Sequence, residues 1–330
     1  MDGRRTTTTE ANVEVHLTPE DLRCRLEVDV RRGLQAAEKS IPSAWFYDET
    51  GSKLFDEITR LDEYYQTRAE RQLLAENAAE IVRLSGVDTL VELGSGTCEK
   101  TRVLLDAMAA ADQLAGIVAI DISAEILETS VLELAREYPG TEVRGLVTDF
   151  FDGVSRIPQV GKTLVAFLGG TIGNLVPSER AEFFHSLGER LDQGDWFLLG
   201  CDLVKDRERL EAAYDDAAGV TAQFNRNVLK VINTELDADF DPTSFEHVAR
   251  WVDEAAWIEM RLRSSCEQRV TIAALDMVVS FADGEELRTE ISAKFTELGI
   301  SAELATAGLE VEASWDGPSG DFLLLLARRA

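Results

Sequence analysis

Short apolar runs alternate with amphipathic stretches between residues 88 and 203 of this chain of 330 residues. The predicted strands cover residues 88–93, 116–122, 142–148, 163–168 and 196–203. Apolar residues at helical spacing fill the intervals at 100–110, 124–138 and 180–191. This alternation predicts right-handed βαβ crossovers, which align the strands in parallel and cover both faces of the sheet with helices. The sequence therefore predicts a doubly wound α/β sheet.

Helical patterns precede this alternation. They cover residues 16–34, 52–60 and 68–85. The first begins with Thr18-Pro19-Glu20, which has the order of a helix N-cap followed by proline and an acidic first turn. Residues 1–12 are polar and rich in threonine, so we expect disorder at the start of the chain.

The pattern changes again beyond the fifth apolar run. Residues 206–233 have helical spacing, whereas residues 257–263 and 269–274 alternate as antiparallel strands do. Two later runs, at 309–315 and 322–326, predict a closing hairpin around Gly317-Pro318. The region between the fifth strand and this hairpin is therefore interpreted as an insertion into the sheet domain.

The charge of the chain argues against several classes of partner. There are 33 lysines and arginines against 61 acidic residues, which gives a net charge of −28. Such a surface repels phosphate backbones and anionic lipid headgroups, so we expect neither nucleic-acid nor membrane partners. No apolar run reaches the 18 residues of a membrane span, and residues 1–10 lack a secretory signal pattern. We expect a cytoplasmic monomer.

Cysteine and histidine spacing offers no metal site. The four cysteines, Cys24, Cys98, Cys201 and Cys266, form no CxxC pair, which is typical of free thiols in a reducing compartment. The three histidines occur in neither an HExxH nor an HxH arrangement. We therefore expect no disulfide framework and no metal.

A glycine loop follows the first predicted strand. Gly94-Ser95-Gly96-Thr97 lets a ligand approach the backbone closely, but it lacks the third glycine of a dinucleotide fingerprint. Asp121 and the pair Asp149-Phe150 end the next two strands, where they suit ribose hydroxyls and an adenine ring. No basic clamp for phosphates accompanies the loop. This pattern favours S-adenosylmethionine over NAD or ATP, and Lys100 could meet its carboxylate.

A second glycine loop, Gly169-Gly170-Thr171-Ile172-Gly173-Asn174, follows the fourth predicted strand at the same edge of the sheet. Its adjacent glycines permit close approach, and the Asn174 amide offers both a donor and an acceptor for an amino-acid backbone. An asparagine-containing turn would account for the same residues.

Several motifs in the chain occur together in one enzyme family. They are SAWFYD, LFDEITRLDEYYQTR, VELGSGTCEKT, FLGGTIGN, DLVKD, YDDAAGVTAQFNRNVL and ISAKF. The chain in this respect resembles the S-adenosylmethionine-dependent histidine Nα-methyltransferases of ergothioneine biosynthesis, from about residue 20 onwards. The resemblance implies trimethylation of the α-amine of L-histidine to hercynine. It also implies a class I, Rossmann-like methyltransferase sheet with an inserted α+β substrate-binding domain.

The resemblance assigns roles to individual positions. Cofactor positions match Gly94, Lys100, Asp121, Asp149 and Phe150. Positions lining the pocket of the reacting amine match Tyr47, Phe55 and Gly169. Histidine-binding positions match Tyr64, Asn174, Tyr214, Met260, Glu290, Ile291 and Ser292. Glu290 and Ser292 are the pair implied to recognise imidazole, and their i, i+2 spacing would point both side chains the same way from a strand.

The resemblance also implies a division of the chain. Residues 1–68 would supply N-terminal helices to a substrate domain, and residues 69–205 would form the S-adenosylmethionine-binding core. Residues 206–295 would be the inserted substrate-binding region, and residues 296–330 would return to the core. Gln66, where proline is usual, and Gly170, in place of a common serine, depart from the family pattern.

Other functions remain open at this level. The chain could methylate the α-amine of tryptophan or another amino acid, although Glu290 and Met260 favour imidazole. It could instead bind S-adenosylmethionine without catalysis, which turnover would exclude. An RNA methyltransferase is disfavoured by the net charge of −28, and a dehydrogenase by the incomplete glycine fingerprint.

Overall fold

The computed structural model describes residues 11–159, 161–317 and 320–329. Its strands, in chain order, are β1 Ala11–Val15, β2 Thr89–Leu93, β3 Gly116–Asp121, β4 Glu142–Val147, β5 Thr163–Phe167, β6 Trp196–Asp202, β7 Phe245–Val252, β8 Trp257–Ser264, β9 Gln268–Ile272, β10 Met277–Phe281, β11 Glu286–Ala293, β12 Leu309–Asp316 and β13 Phe322–Arg329.

The α-helices, in chain order, are α1 Pro19–Gln35, α2 Glu49–Ile58, α3 Gln66–Ser85, α4 Thr101–Ala110, α5 Ala124–Glu137, α6 Phe150–Arg156, α7 Pro177–Arg190, α8 Arg207–Ala212, α9 Val220–Leu236 and α10 Glu297–Thr306. A short 3₁₀ turn, Thr171–Asn174, follows β5 and is called the TIGN turn below. Thr18 is the N-cap of helix α1, as the sequence predicts, and its side chain closes a capping box with Asp21.

The central sheet has eight strands in the order β1-β4-β3-β2-β5-β6-β13-β12. The strands from β1 to β6 are mutually parallel. At one edge β13 pairs antiparallel with β6, and β12 pairs antiparallel with β13, so β12 runs in the same direction as the parallel strands. Strands β2 and β5 are buried at every position, as expected for parallel strands covered on both faces. The chain order reverses between β2 and β5, which creates a crevice at the carboxyl ends of these strands. The doubly wound α/β prediction is confirmed.

The element predictions fail in a few places. Residues 11 and 12, expected to be disordered, start strand β1, which pairs with β4 at the sheet edge. Residues 1–10 lie outside the described part of the chain, as do Pro318 and Ser319 of the predicted hairpin turn. The single helix predicted over 206–233 is two helices, because Asp216 caps the second through the backbone N–H groups of Val220 and Thr221.

A second unit covers the crevice. It contains an antiparallel sheet in the order β11-β8-β7 and the hairpin of β9 and β10. Helices α1, α2 and α9 share its apolar core. Phe224, Val228 and Ile232 of α9 are spaced four residues apart, so they lie on one face of the helix and are all buried. Two distant parts of the sequence thus build this unit.

The TIGN turn joins the unit to the central sheet. A Cβ at Gly173 would lie 2.8 Å from the carbonyl oxygen of Ala293 in β11, which is closer than a real Cβ atom approaches an oxygen. Only glycine therefore allows the turn to lie directly against β11. This contact positions the end of β11 over the carboxyl ends of the central strands.

Candidate active site

A cleft of about 970 Å³ lies between the carboxyl ends of the central strands and the second unit. The fifteen site residues predicted from the sequence all line it, and none is left elsewhere. They are Tyr47, Phe55, Tyr64, Gly94, Lys100, Asp121, Asp149, Phe150, Gly169, Asn174, Tyr214, Met260, Glu290, Ile291 and Ser292. The fold thus brings together residues separated by more than 200 positions in sequence.

The loop after β2 presents open backbone to this cleft. Gly94 and Gly96 have φ angles of 68° and 50°, and a Cβ at either position would meet no atom of the described residues within 4 Å. The Ser95 hydroxyl between them is buried without a partner among the described residues. A buried polar atom of this kind, beside exposed backbone, fits a bound ligand with polar groups of its own.

Asp121 lies at the end of β3, beside this loop. Its carboxylate accepts hydrogen bonds from the backbone N–H groups of Gly96, at 2.8 Å, and Ser123, at 2.9 Å. Burial raises the pKa of Asp121, and these hydrogen bonds oppose the rise. The carboxylate is therefore held in a fixed orientation at the strand end, where it retains acceptor capacity for ribose hydroxyls.

Lys100 pairs with a carboxylate that the sequence analysis missed. Its ammonium group contacts Glu70 of α3, whose side chain is only 1% exposed. The other oxygen of Glu70 accepts from the backbone N–H of Gly169 at 2.7 Å. A Cβ at Gly200 would lie 2.2 Å from a carboxylate oxygen of Glu70. The lack of a side chain at Gly200 therefore makes room for the Glu70 carboxylate. Glu70 therefore links the Lys100 position to the loop after β5.

The adenine end of the predicted site lies at the start of α6. Asp149 caps this helix by accepting from the backbone N–H of Asp152 at 2.9 Å. The guanidinium of Arg25 in α1 reaches across the cleft and pairs with both carboxylates. Phe150 packs against Phe167 with ring centroids 5.2 Å apart. An ion pair thus connects the second unit to the central domain beside an aromatic wall.

A row of aromatic rings crosses the middle of the cleft. Ring centroids are 5.5 Å apart for Tyr47 and Phe55, 6.0 Å for Phe55 and Tyr64, and 6.3 Å for Tyr64 and Tyr214. Each pair meets edge to face, which is a favourable aromatic geometry. Phe224 of α9 adds a ring 5.6 Å from Tyr47, and the sequence analysis missed it because its helical spacing indicates only core.

Glu290 and Ser292 lie at the far end of this row, on β11, with Ile291 between them. Met260 of β8 is the register partner of Glu290. Burial raises the pKa of the Glu290 carboxyl to about 7, although the Lys294 ammonium and the Asn174 amide oppose the rise. A carboxylate and a hydroxyl thus face the same cavity, as the i, i+2 spacing predicts.

A buried polar network lies directly behind this pair. The Lys294 ammonium is fully buried and donates to Tyr214 at 2.9 Å, to Ser292 at 2.8 Å and to Asp202 at 3.0 Å. Asp202 also accepts from Tyr65 at 2.8 Å and pairs with Lys205. The sequence contained one signal for Lys294, since it continues the period-two spacing of Glu290 and Ser292.

No group of three or more histidine, cysteine, aspartate or glutamate side chains is placed to hold a metal ion in residues 11–159, 161–317 and 320–329. Within the same ranges, no helix is both long and apolar enough to cross a membrane.

Comparison with known proteins gave one family. The family described as "Histidine-specific methyltransferase, SAM-dependent" matches residues 26–329 of the chain. The protein named histidine N-alpha-methyltransferase in Mycolicibacterium smegmatis is 55% identical over 304 residues, which cover 92% of this chain and 95% of the relative. The protein of that name in Mycobacterium tuberculosis is 50% identical over 318 residues, with 96% and 99% covered.

A fungal relative matches part of a longer protein. Ergothioneine biosynthesis protein 1 of Neurospora crassa is 29% identical over 296 residues, which cover 88% of this chain and 33% of the relative.

Proposed function

The chain belongs to the family of histidine-specific, S-adenosylmethionine-dependent methyltransferases, and we propose on that premise that it methylates the α-amino nitrogen of L-histidine. This membership confirms the resemblance drawn from the motifs, and the fold is the class I methyltransferase fold. We further propose that three transfers give hercynine, the first step of ergothioneine biosynthesis. The observation that carries the proposal is the convergence of all fifteen predicted residues on one cleft.

S-adenosylmethionine supplies an electrophilic methyl group on a sulfonium centre. Gly94 offers backbone for close approach, and Asp121 offers its carboxylate to the ribose hydroxyls. Lys100 would exchange its contact with Glu70 for the carboxylate of the methionyl part, or share it between the two. Asp149 and Phe150 would hold the adenine, the ring of Phe150 packing against it.

Histidine would occupy the opposite end of the cleft. Glu290 and Ser292 would bind the imidazole, with Met260 and Ile291 packing around it. A carboxylate that accepts from an imidazole N–H forms a charge-assisted hydrogen bond, worth about 1.5–3 kcal/mol. Asn174, Tyr64 and Tyr214 would hold the amino-acid backbone. The reacting amine would then lie between Tyr47, Phe55 and Gly169.

The amine must be uncharged to attack the methyl carbon. Desolvation beside the rings of Tyr47 and Phe55 disfavours the ammonium form, so this pocket promotes loss of the proton without a strong base. The rings also tolerate the quaternary product, which donates no hydrogen bond, through cation–π attraction. Activity should consequently rise above neutral pH.

We also propose that the division of the chain follows function. Residues 206–295 and the part of residues 1–68 that begins with α1 would form the substrate domain, whose common core contains α1, α2, α9 and strands β7 to β11. Strand β1, which the sequence analysis assigned to that domain, pairs instead with β4 of the central sheet. Residues 69–205 and 296–330 would form the cofactor domain. We propose that the protein is a cytoplasmic monomer without a metal. The net charge of −28 disfavours nucleic-acid and membrane partners, and the four cysteines, which form no CxxC pair, are typical of a reducing compartment.

Mass spectrometry of L-histidine incubated with the protein and S-adenosylmethionine tests the proposal. We expect a gain of three methyl groups on the α-nitrogen. A panel of other amino acids, with tryptophan included, distinguishes the alternative Nα-methyltransferases. Preferred methylation of another amino acid would replace the substrate, and cofactor binding without any turnover would leave only a binding protein.

A further inference from the structure

Every N–H group of the fully buried Lys294 ammonium has a hydrogen-bond partner. An ammonium group has three N–H donors and no acceptor. The three donors of Lys294 meet three oxygen atoms, which belong to Tyr214, Ser292 and Asp202, at 2.8–3.0 Å. Each of the two hydroxyl oxygens, on Tyr214 and on Ser292, therefore receives a hydrogen from Lys294.

The remaining hydrogens of the two hydroxyl groups are limited by geometry. The Tyr214 and Ser292 oxygens lie 2.7 Å apart, so one hydroxyl hydrogen lies between them. Two hydroxyls carry two hydrogens, and hence the other one must point elsewhere. The Tyr214 hydroxyl donates its hydrogen to the Ser292 oxygen, and the amide nitrogen of Gln66 lies 3.4 Å from the Tyr214 oxygen. Both acceptor positions of Ser292 are then filled, and its own hydrogen faces the cleft.

We propose that Lys294 is a positioning residue that makes Ser292 a hydrogen-bond donor, so that the cleft selects the neutral imidazole of histidine. The ionised Glu290 carboxylate can only accept, and it would take the N–H of the ring. Ser292 would donate to the other ring nitrogen, which must carry a free lone pair. This inference rests on the proposed histidine-binding function and states which hydrogen bonds recognise the two nitrogen atoms of the ring.

The arrangement discriminates among ring types. Indole has an N–H but no ring acceptor, and the imidazolium ion has two N–H groups and no lone pair. Either one would leave the Ser292 hydrogen without a partner in a buried site. An unpaired buried donor lowers affinity by about tenfold or more. Neutral imidazole satisfies both Glu290 and Ser292.

Lys205 provides a matched control. Lys205 and Lys294 both pair with Asp202, and their side chains are 9% and 0% exposed. Lys205 contacts Tyr65 in addition, but neither Tyr214 nor Ser292. Removing either ammonium therefore disturbs Asp202, whereas only Lys294→Met removes a donor from the hydroxyl pair.

The experiment compares two ligands in the presence of S-adenosylhomocysteine. Calorimetry measures binding of L-histidine and of 3-(pyrrol-2-yl)-L-alanine, whose ring keeps one N–H and lacks the acceptor nitrogen. We expect the wild-type protein and Lys205→Met to prefer histidine by about tenfold. In Lys294→Met the affinities for the two ligands should differ by less than about threefold, and Ser292→Ala should lose the preference for histidine to the same extent. Binding of S-adenosylhomocysteine reports that each variant is folded.

Several results would overturn the inference without touching the proposed function. One is a histidine preference in Lys294→Met equal to that of Lys205→Met. Another is an equal loss of preference in both lysine variants, which would make the effect structural. Failure of wild-type protein to methylate histidine would instead reject the proposed function.

A measurement on the unaltered protein avoids the question of variant folding. Histidine labelled with ¹⁵N in the ring is bound to wild-type protein with S-adenosylhomocysteine at about pH 7.5, above the pKa of about 7 of the Glu290 carboxyl, so that this group is ionised. We expect one protonated and one unprotonated ring nitrogen in the bound spectrum. Two protonated nitrogens would show a bound imidazolium and refute the inference.

Discussion

Burial in the cleft disfavours the ionised form of individual acidic residues and so raises their pKa values. Glu290 is the clearest case, because burial raises its pKa to about 7 while Lys294 and Asn174 favour its ionised form. The carboxyl group of the free protein therefore titrates near physiological pH. Since only the ionised form is a pure acceptor, its titration affects recognition of the ring N–H.

Replacing Glu290 with glutamine should remove the part of the pH dependence of kcat/KM that comes from ionisation of this carboxyl group. The ratio of wild-type to Glu290→Gln kcat/KM for histidine should rise with pH up to about 7 and then level, because kcat/KM reports groups of the free enzyme. Titration of the substrate amine and ring cancels in this ratio, which serves as the internal control. A ratio that stays constant from about pH 5.5 to 8.5 would show that Glu290 does not titrate during recognition.

Glu92, at the end of β2, lines the cleft and should also influence the stability of the folded protein. It is buried beside the Thr101 hydroxyl, and burial raises its pKa to about 8. The folded protein retains a proton that the unfolded chain releases above about pH 4.5. The stabilisation is therefore complete below pH 4.5 and is lost as the pH rises towards 8.

Glu92→Gln isolates this effect in the ligand-free protein. Relative to wild type, the variant should gain stability by about 1 kcal/mol for each pH unit between 5 and 8. Urea unfolding at several pH values measures the difference. A difference between the two proteins that does not change with pH would contradict the raised pKa of Glu92.

Sequence reasoning found residues with a local signal and missed those without one. Gly94, Asp121 and Asp149 follow predicted strands, and the carboxyl ends of parallel strands meet at one edge, so their convergence was predictable. Glu290 was assigned through the family motif, since a glutamate in an alternating strand otherwise indicates a solvent-exposed side chain. Glu70 was missed because a glutamate in an amphipathic helix carries no sign that it is buried opposite Lys100.

Contacts between elements decide how accurately β11 presents these side chains. The TIGN turn lies against the end of β11, and a Cβ on Gly173 would approach the backbone of Ala293 to 2.8 Å at its oxygen and 3.2 Å at its nitrogen. These two atoms belong to the backbone of β11, which cannot move aside for a Cβ as the end of a flexible side chain could. The glycine is thus required by packing and not by backbone conformation.

Gly173→Ala should therefore affect both stability and substrate affinity. Overpacking of this kind costs about 1–3 kcal/mol. Displacement of β11 should raise the KM for histidine more than that for S-adenosylmethionine. Thermal unfolding and steady-state kinetics measure the two effects. Gly317→Ala is the control, since a Cβ there meets no atom within 4 Å in the part of the chain that the structure describes.

Among elements, the parallel strands were predicted well and the insertion poorly. Strands β2, β3, β5 and β6 are largely continuous apolar runs between turn residues, because they are buried on both faces. Strand β4 carries the exposed Glu142 and the half-buried Arg144 at its start. Strand β7 was missed because its residues are mostly half-buried and give neither an apolar run nor clear alternation. Strand β1 was missed because an edge strand can be short and polar.

At the scale of the whole molecule, charge opposes the compact state. The net charge of −28 places like charges close together on folding, and exposed ion pairs contribute only about 0–1 kcal/mol each. Added salt screens both the repulsion among the acidic groups and the attraction within the ion pairs. The stability gained from weaker repulsion should exceed the stability lost from weaker ion pairs. Salt is expected to stabilise this protein.

Raising sodium chloride from about 10 to 300 mM should increase the thermal midpoint by about 2–5 °C. Differential scanning calorimetry measures the shift, with sucrose of equal osmolality as a control for nonionic effects. A midpoint that falls with added salt would show that ion pairs such as Arg25 with Asp149 matter more than self-repulsion.

The composite core of the second unit has a consequence for biosynthesis. Leu34 of α1 and Phe224 of α9 belong to the same core, although the ribosome joins them far apart in time. At about 5–20 residues per second, the interval between them is roughly 10–40 s. During that interval the apolar faces of α1 and α2 have no native surface to cover them. The nascent chain therefore passes through a stage at which a holding chaperone, or a slow rate of expression, limits aggregation.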